Sequence, residues 1–166
     1  MTILVALGSN LPAASYKSSV ETLRAAISRL TASGIQVERQ SRFYSSRAWP
    51  PSDQPDYVNA VVAVTTSLPP ADLMAELLGI EREFGRERSV PNAARTLDLD
   101  LIAYDDLVMS APNGSLNLPH PRVAERHFVL LPLRDVAPDW RHPVTGQSVD
   151  EMLRPLDLET IRALDA

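Results

Sequence analysis

Apolar residues gather into short runs and stripes along this chain, and their spacing alternates between that of strands and that of helices. Residues 3–7 (Ile3, Leu4, Val5, Ala6, Leu7) form an unbroken apolar run closed by Gly8-Ser9-Asn10, the signature of a strand buried on both faces and ending in a turn. A helix follows. Ser18-Ser19-Val20-Glu21 has the form of a capping box, Val20, Leu23, Ile27 and Leu30 recur at helical spacing, and Gly34 stops the run. Residues 35–44 read as a second strand, 47–54 as a loop because Pro50 and Pro51 interrupt it, and 57–66, rich in Val and Ala, as a central strand. Pro69-Pro70 opens another helix, with Leu73, Leu77, Ile80 and Phe84 on one stripe and Gly85 at its end. In residues 97–101 the period returns to two, with Leu97, Leu99 and Leu101 on one side and Asp98 and Asp100 on the other.

The order strand, helix, strand, strand, helix, strand predicts an α+β sandwich of ferredoxin-like type. Its sheet would be mainly antiparallel, with both long helices on one face and the other face left for loops and ligand. Prolines become frequent after residue 111, which predicts short helices and loops wrapped over the sheet. At 166 residues and with no repeat or low-complexity linker, residues 1–166 are expected to form a single domain. The first residues carry no basic lead, and no apolar run approaches the length of a membrane span, so a cytoplasmic protein without membrane attachment is expected.

Composition removes several kinds of chemistry. With no cysteine there is no disulfide, thiolate metal site or cysteine nucleophile, and a net charge of −5 argues against a general nucleic-acid binder. The basic residues are fifteen Arg and one Lys, Lys17, and no GxxxxGK loop occurs, so any phosphate contact falls to arginine forks.

The acidic strand then carries the most chemistry. Carboxylates two residues apart on one strand face start about 7 Å apart, close enough to hold a divalent cation or a pair of them. Arg86, Arg88 and Arg95 precede them, and His120, Arg122 and Arg126 follow. Oxygen ligands suited to Mg2+ amid arginines suited to bidentate phosphate contact point to a nucleotide polyphosphate. In Asp53-Gln54-Pro55-Asp56-Tyr57-Val58-Asn59, Tyr57 and Asn59 share a strand face, where an aromatic ring and a carboxamide can stack on and hydrogen-bond to a flat heterocycle.

Gly8-Ser9-Asn10, Phe43-Tyr44, the Asp53 to Asn59 motif, Glu81 with Gly85-Arg86, Arg95-Thr96-Leu97-Asp98-Leu99-Asp100, and Pro119-His120-Pro121-Arg122 with Arg126 and Phe128 occur in a familiar order. Over residues 3–133 the chain resembles the 6-hydroxymethyl-7,8-dihydropterin pyrophosphokinases of folate biosynthesis. The resemblance implies transfer of a diphosphate from ATP to the pterin alcohol with release of AMP, assisted by two Mg2+ ions on Asp98 and Asp100. It implies that Tyr57 and Phe128 sandwich the pterin, that Asn59 reads its pyrimidine edge, and that Ser46 lies beside it. Arg86, Arg95, His120 and Arg126 match positions that contact the ATP phosphates or close loops over them. Of these, Arg86 and Arg95 join the two acids as the expected catalytic residues. Arg88 matches a mobile-loop arginine, Asn10 an aid to loop closure, and Glu81 a glutamate near the nucleotide. A monomer with these two small-molecule substrates is implied.

The chain departs from the family pattern at residues 89–94, which lack the tryptophan that many members carry in a lid over the pterin. Trp49, in the other mobile loop, is the candidate to supply an aromatic to the pterin from the opposite side. Two other readings stay open on the residues alone. One is a Mg2+-dependent nucleotidyltransferase, against which the long separation of Gly8-Ser9 from the acids counts. The other is a binding module that keeps a pterin or nucleotide site without turnover.

Overall fold

The computed structural model describes residues 2–13, 16–47, 53–85 and 96–165. Strand β1 (Ile3–Ser9) is buried along its whole length, as its continuous apolar run requires. Helix α1 (Ser19–Ala32) starts at Ser18, whose hydroxyl accepts from the Glu21 amide at 3.2 Å. The return half of the cap reaches one residue further out than a capping box, since the Glu21 carboxylate accepts from the amide of Lys17 at 2.8 Å. After Gly34, with φ at +80°, come β2 (Gln36–Gln40) and β3 (Tyr44–Ser46).

The strand expected at 35–44 is thus two strands. The Ser41 amide donates to the Val61 carbonyl at 3.0 Å and its hydroxyl accepts from the Val61 amide at 2.9 Å, so a residue between the strands satisfies the ladder and lets the chain step sideways. Strand β4 (Tyr57–Thr65) pairs antiparallel with β1, β2 and β3. Helix α2 (Pro70–Glu83) ends at Gly85, with φ at +84°, and β5 (Asp98–Tyr104) pairs antiparallel with β1. The strand order β5-β1-β4-β3, with β2 also on β4, is the ferredoxin-like arrangement that the element order predicts.

The sheet has an apolar layer on each face. Ile3, Val5 and Leu7 of β1 and Leu99 and Leu101 of β5 pack with Leu23 and Leu30 of α1 and Leu73, Leu77 and Ile80 of α2. An Arg29 guanidinium meeting the Glu83 carboxylate with two contacts of 2.8 Å ties those helices together. The second face is less open than the sequence pattern implies. Leu4, Ala6 and Val61 meet Leu130 and Leu133 of a third helix, α3 (His127–Val136), and Met152 of α4 (Val149–Leu153).

The remaining short elements complete that face. Strands β6 (Met109–Ser110) and β7 (Asn117–Leu118) form a small ribbon, residues 123–125 a single 3-10 turn, and β8 (Ile161–Ala163) adds to the sheet beside β3. Arg42, Tyr44 and Asp135 lock β3 to α3: the Tyr44 hydroxyl donates to the Asp135 carboxylate at 2.9 Å and accepts from Arg42 at 2.8 Å. Burial pushes the Asp135 carboxyl up, but the hydrogen bonds from Arg42 and Tyr44 outweigh it and hold the group below the ordinary carboxylate range. Among the described residues, no helix is long and apolar enough to cross a membrane.

His127, at the start of α3, meets the Thr160 hydroxyl at 2.8 Å. Burial lowers its pKa below the ordinary 6.5, and nearby Asp157 only partly offsets this. Its neutral form therefore contributes stability that is fully present above pH 6.5 and is lost as the pH falls through the depressed value. His120 and His142 are lowered by burial in the same way. The melting temperature is expected to drop between pH 7 and pH 5, above the range where carboxylates titrate, and His127→Gln should make that slope shallower. An unchanged slope would remove His127 from the acid response.

Candidate active site

The site is built on the second face of the sheet, beyond the end of the α3 layer. Strand register puts Tyr44 of β3 opposite Asn59 of β4, Asn59 opposite Gly8 of β1, and Gly8 opposite Asp98 of β5. Directly opposed residues of an antiparallel ladder point to the same face, so the Asn59 carboxamide and the Asp98 carboxylate flank Gly8 in one row. Tyr57 lies two residues from Asn59 and Asp100 two from Asp98, and both share that face. A Cβ on Gly8 would stand 3.5 Å from the Asn59 Oδ1 and 3.7 Å from the Tyr57 Cδ1. Gly8 has no positive φ to require glycine. Its missing side chain instead leaves the floor between the carboxamide and the acid open. A glycine at the end of an apolar strand run is a visible signal of close approach as well as of a turn.

Asn59 is 4% exposed, and its Nδ2 donates to the hydroxyl of Ser46, 2% exposed, at 2.8 Å. The Asn10 Nδ2, also buried, donates to the Gln54 Oε1 at 2.9 Å and the Pro55 carbonyl at 3.2 Å. This ties the turn after β1 to the segment leading into β4. Gln54 was not singled out by the sequence reading. Its place in the Asp53 to Asn59 motif is explained by that bond.

Asp98 and Asp100 are half-buried, while Leu97, Leu99 and Leu101 are buried on the other face. Asp100 faces cations. The Arg126 Nη1 lies 3.8 Å from its carboxylate, and the Arg126 guanidinium sits 5.6 Å from the centre of the Phe128 ring. Phe128 is half-buried against the second core layer and makes an edge contact with the His127 ring. His120 is held by its amide, which donates to the Ile102 carbonyl at 2.8 Å, and its Nδ1 accepts from the Arg122 amide at 3.1 Å. Burial lowers the His120 pKa, with Asp100 opposing and Arg126 and Arg122 reinforcing the shift. The side chain is therefore neutral at pH 7, and the accepting Nδ1 leaves the proton on Nε2.

Glu81 lies apart from this face. It is 1% exposed, and its carboxylate accepts from the Leu99 amide at 2.6 Å. Arg86, Arg88, Arg95 and Trp49 lie outside the described residues.

The donor set fits a hard cation of a particular kind. Two carboxylates share a strand face, and no cluster of three or more His, Cys, Asp or Glu able to hold a metal occurs among the described residues. Mg2+ suits such a pair, because it is held by one or two carboxylates and completes its shell with water and phosphate oxygens. A zinc cage of nitrogen and sulfur ligands does not fit.

Comparison with known proteins agrees with this geometry. The family model for 7,8-dihydro-6-hydroxymethylpterin-pyrophosphokinase matches residues 4–138. A 2-amino-4-hydroxy-6-hydroxymethyldihydropteridine pyrophosphokinase of Synechocystis sp. is 42% identical over 143 residues, 86% of this chain and 72% of that protein. The enzyme of the same name from Haemophilus influenzae is 39% identical over 155 residues, 93% of this chain and 92% of that protein. A folic acid synthesis protein of Pneumocystis carinii is 40% identical over 147 residues, 89% of this chain and 19% of that much longer protein. Among solved structures, a Plasmodium falciparum HPPK-DHPS triple mutant superposes with a TM-score of 0.69 over 98% of this chain and 45% of that one, at 12% identity. At that identity the likeness speaks for the fold. The chain therefore belongs to the 7,8-dihydro-6-hydroxymethylpterin-pyrophosphokinase family, and with it to the ATP-dependent diphosphotransferases.

The Ser46 hydroxyl is the buried partner that orients the Asn59 carboxamide. Ser46→Ala leaves that amide short of an acceptor and is expected to cost about 1–3 kcal/mol of stability, measured by urea unfolding. A neutral result would mean that Asn59 finds another partner by turning.

Proposed function

We propose that the chain transfers a diphosphate from ATP to the hydroxymethyl group of 6-hydroxymethyl-7,8-dihydropterin in folate biosynthesis, releasing AMP. The observation that carries this reading is the row Asn59, Gly8, Asp98, in which a carboxamide and a half-buried acid stand on either side of a residue without a side chain. A flat heterocycle lying over Gly8 has its polar edge at Asn59 and its exocyclic carbon toward the acids. Asn59, held by Ser46, presents a fixed donor and acceptor to that edge, while Tyr57 and Phe128 stack on the ring faces.

In the transfer, the carbinol oxygen of the pterin forms a bond to the β-phosphorus. The bond from that phosphorus to the oxygen bridging the α- and β-phosphates breaks, AMP leaves with that oxygen, and the carbinol proton passes to solvent. Such a reaction asks the protein for alignment and charge neutralisation more than for covalent chemistry. Asp98 and Asp100 would hold two Mg2+ ions, which supply charge neutralisation at the phosphoryl oxygens when bound. Arg126, already beside Asp100, offers its guanidinium to the phosphates, and the neutral His120 offers its Nε2 proton. Arg86, Arg88 and Arg95 add positive charge from the segment that joins α2 to β5, with Arg86 and Arg95 as catalytic residues. In this reading residues 1–166 act as one pyrophosphokinase domain, monomeric and cytoplasmic, with no nucleic-acid or membrane partner.

The test is a product assay with ATP, Mg2+ and the pterin, read by chromatography. AMP and pterin diphosphate in equal amounts are expected. Pyrophosphate in place of AMP would make the chain a nucleotidyltransferase, and binding without either product would make it a binding module. Asp98→Asn is expected to lower turnover on the order of 100-fold or more, the scale of losing one aimed electrostatic group, with the fold intact by circular dichroism. Activity that survives this change and chelation would rule out the metal role. Tyr57→Ala is expected to weaken pterin binding by about 1–3 kcal/mol in calorimetry, the scale of base stacking on an aromatic ring. Unchanged affinity would move the pterin off Tyr57.

A further inference from the structure

Glu81 is the one carboxylate among the described residues that is almost wholly buried, and it is buried against the strand that carries the acids. It follows Ile80 and stands four residues after Leu77, on the side of α2 that faces the sheet. A carboxylate there is costly unless it accepts hydrogen bonds. The one that it accepts at 2.6 Å comes from the amide of Leu99, the residue between Asp98 and Asp100.

Among the described residues, strand β5 is an edge strand, paired only with β1 on this sheet. In an antiparallel ladder, successive residues turn their amides alternately toward and away from the partner strand. The Leu99 amide donates to Glu81 and so points outward. The amides of Asp98 and Asp100, opposite Gly8 and Ala6, then point inward to β1. The acid pair is thereby clamped from two sides, by the ladder at Asp98 and Asp100 and by a side chain at the residue between them.

The same bond ties the last turn of α2 to the start of β5. A Cβ on Gly85, two residues past the end of α2, would lie 4.0 Å from the Oγ1 of Thr96, two residues before β5. The helix end and the strand start are therefore neighbours, and Glu81 joins them one turn further in.

We propose that Glu81 is a positioning residue for the Asp98 and Asp100 pair, acting through the Leu99 backbone and not by touching the nucleotide. The proposal rests on the reading of those acids as Mg2+ ligands. Two near-isosteric changes separate reach from charge: Glu81→Gln keeps an acceptor oxygen at the same reach, and Glu81→Asp keeps the charge but draws the carboxylate back by one methylene.

Affinity for Mn2+, measured by calorimetry in the presence of a non-hydrolysable ATP analogue, should fall about 10- to 100-fold in Glu81→Asp, the scale of losing a residue that orients metal ligands, and less in Glu81→Gln. Affinity for the analogue without metal should stay within about twofold in both, and amide exchange at Leu99 should quicken in Glu81→Asp. Equal effects of the two changes, or a larger effect of Gln, would overturn the proposal. So would a loss of metal-free nucleotide affinity as large as the loss of metal affinity. Asp98→Asn is measured alongside. If it leaves Mn2+ affinity intact, the metal reading itself fails; if it abolishes that affinity while Glu81→Asp does not alter it, only the role of Glu81 fails.

Discussion

The register of β1 between β4 and β5 is the constraint on which the rest of the site depends. A slip of one residue against either neighbour would turn every side chain of that pairing to the opposite face. Asn59 would then enter the core under α1 and α2, or Asp98 and Asp100 would replace Leu99 and Leu101 there. What fixes the register is the alternation at the start of β5, where Leu97, Leu99 and Leu101 are buried in one layer while Asp98 and Asp100 stay half-buried on the other face, so that a slip would carry the acids into the core and the leucines out of it. Fully burying side chains of this size is worth about 1.5–3 kcal/mol each, so a slip is opposed by several such terms together. The same packing that stabilises the sheet therefore also sets the distance between the carboxamide and the acids.

A local irregularity lets β5 serve both purposes. Its outer row reads Asp98, Asp100, Ile102, so polar and apolar residues share one face of one short strand. The register against β1 shifts between Leu4 and Val5, and Ile102 and Ala103 both join the core layer under α3. A bulge of this kind adds twist and re-aims the residues on either side of it. Two residues enter the core beyond the bulge, while the acids before it stay half exposed beside Gly8.

Much of this was legible in the sequence wherever one physical signal dominated. The continuous apolar run of β1, the helical stripes of α1 and α2, and the alternation in β5 each have a single period, and each element forms where its period lies. The split at Ser41 was hidden because the ladder there is completed by a hydroxyl, which no pattern of apolar residues reports. Strand β8 was hidden because its three residues bury only Ile161, whereas the short helices expected over the sheet after residue 111 do form as α3 and α4, with bounds that the proline pattern does not give. The pairing of Asn59 with Asp98 across Gly8 has no sequence signal at all. It exists only once β1 is placed between the strands that carry them. Glu81 is intermediate: helical spacing puts it on the buried side of α2, but only the strand edge explains why a carboxylate is tolerated there.

The charges around Asp100 follow from the same geometry. Arg126 lies 3.8 Å away, with a quarter of its side chain exposed, so the contact is too long and too wet to hold the carboxylate strongly. A tight, dry pair would have neutralised Asp100 and left little field for any other ligand. With His120 kept neutral by burial, the cationic side chains described at this end of the sheet are the Arg126 and Arg122 guanidiniums, which do not lose their protons at any working pH. In the proposed reaction this contact gives way: the Arg126 guanidinium shifts toward the triphosphate, and Asp100 turns to the oxygen-loving cations that arrive with it. The loose contact is then the form of pairing that such an exchange requires, since Asp100 need not first break a tight pair with Arg126.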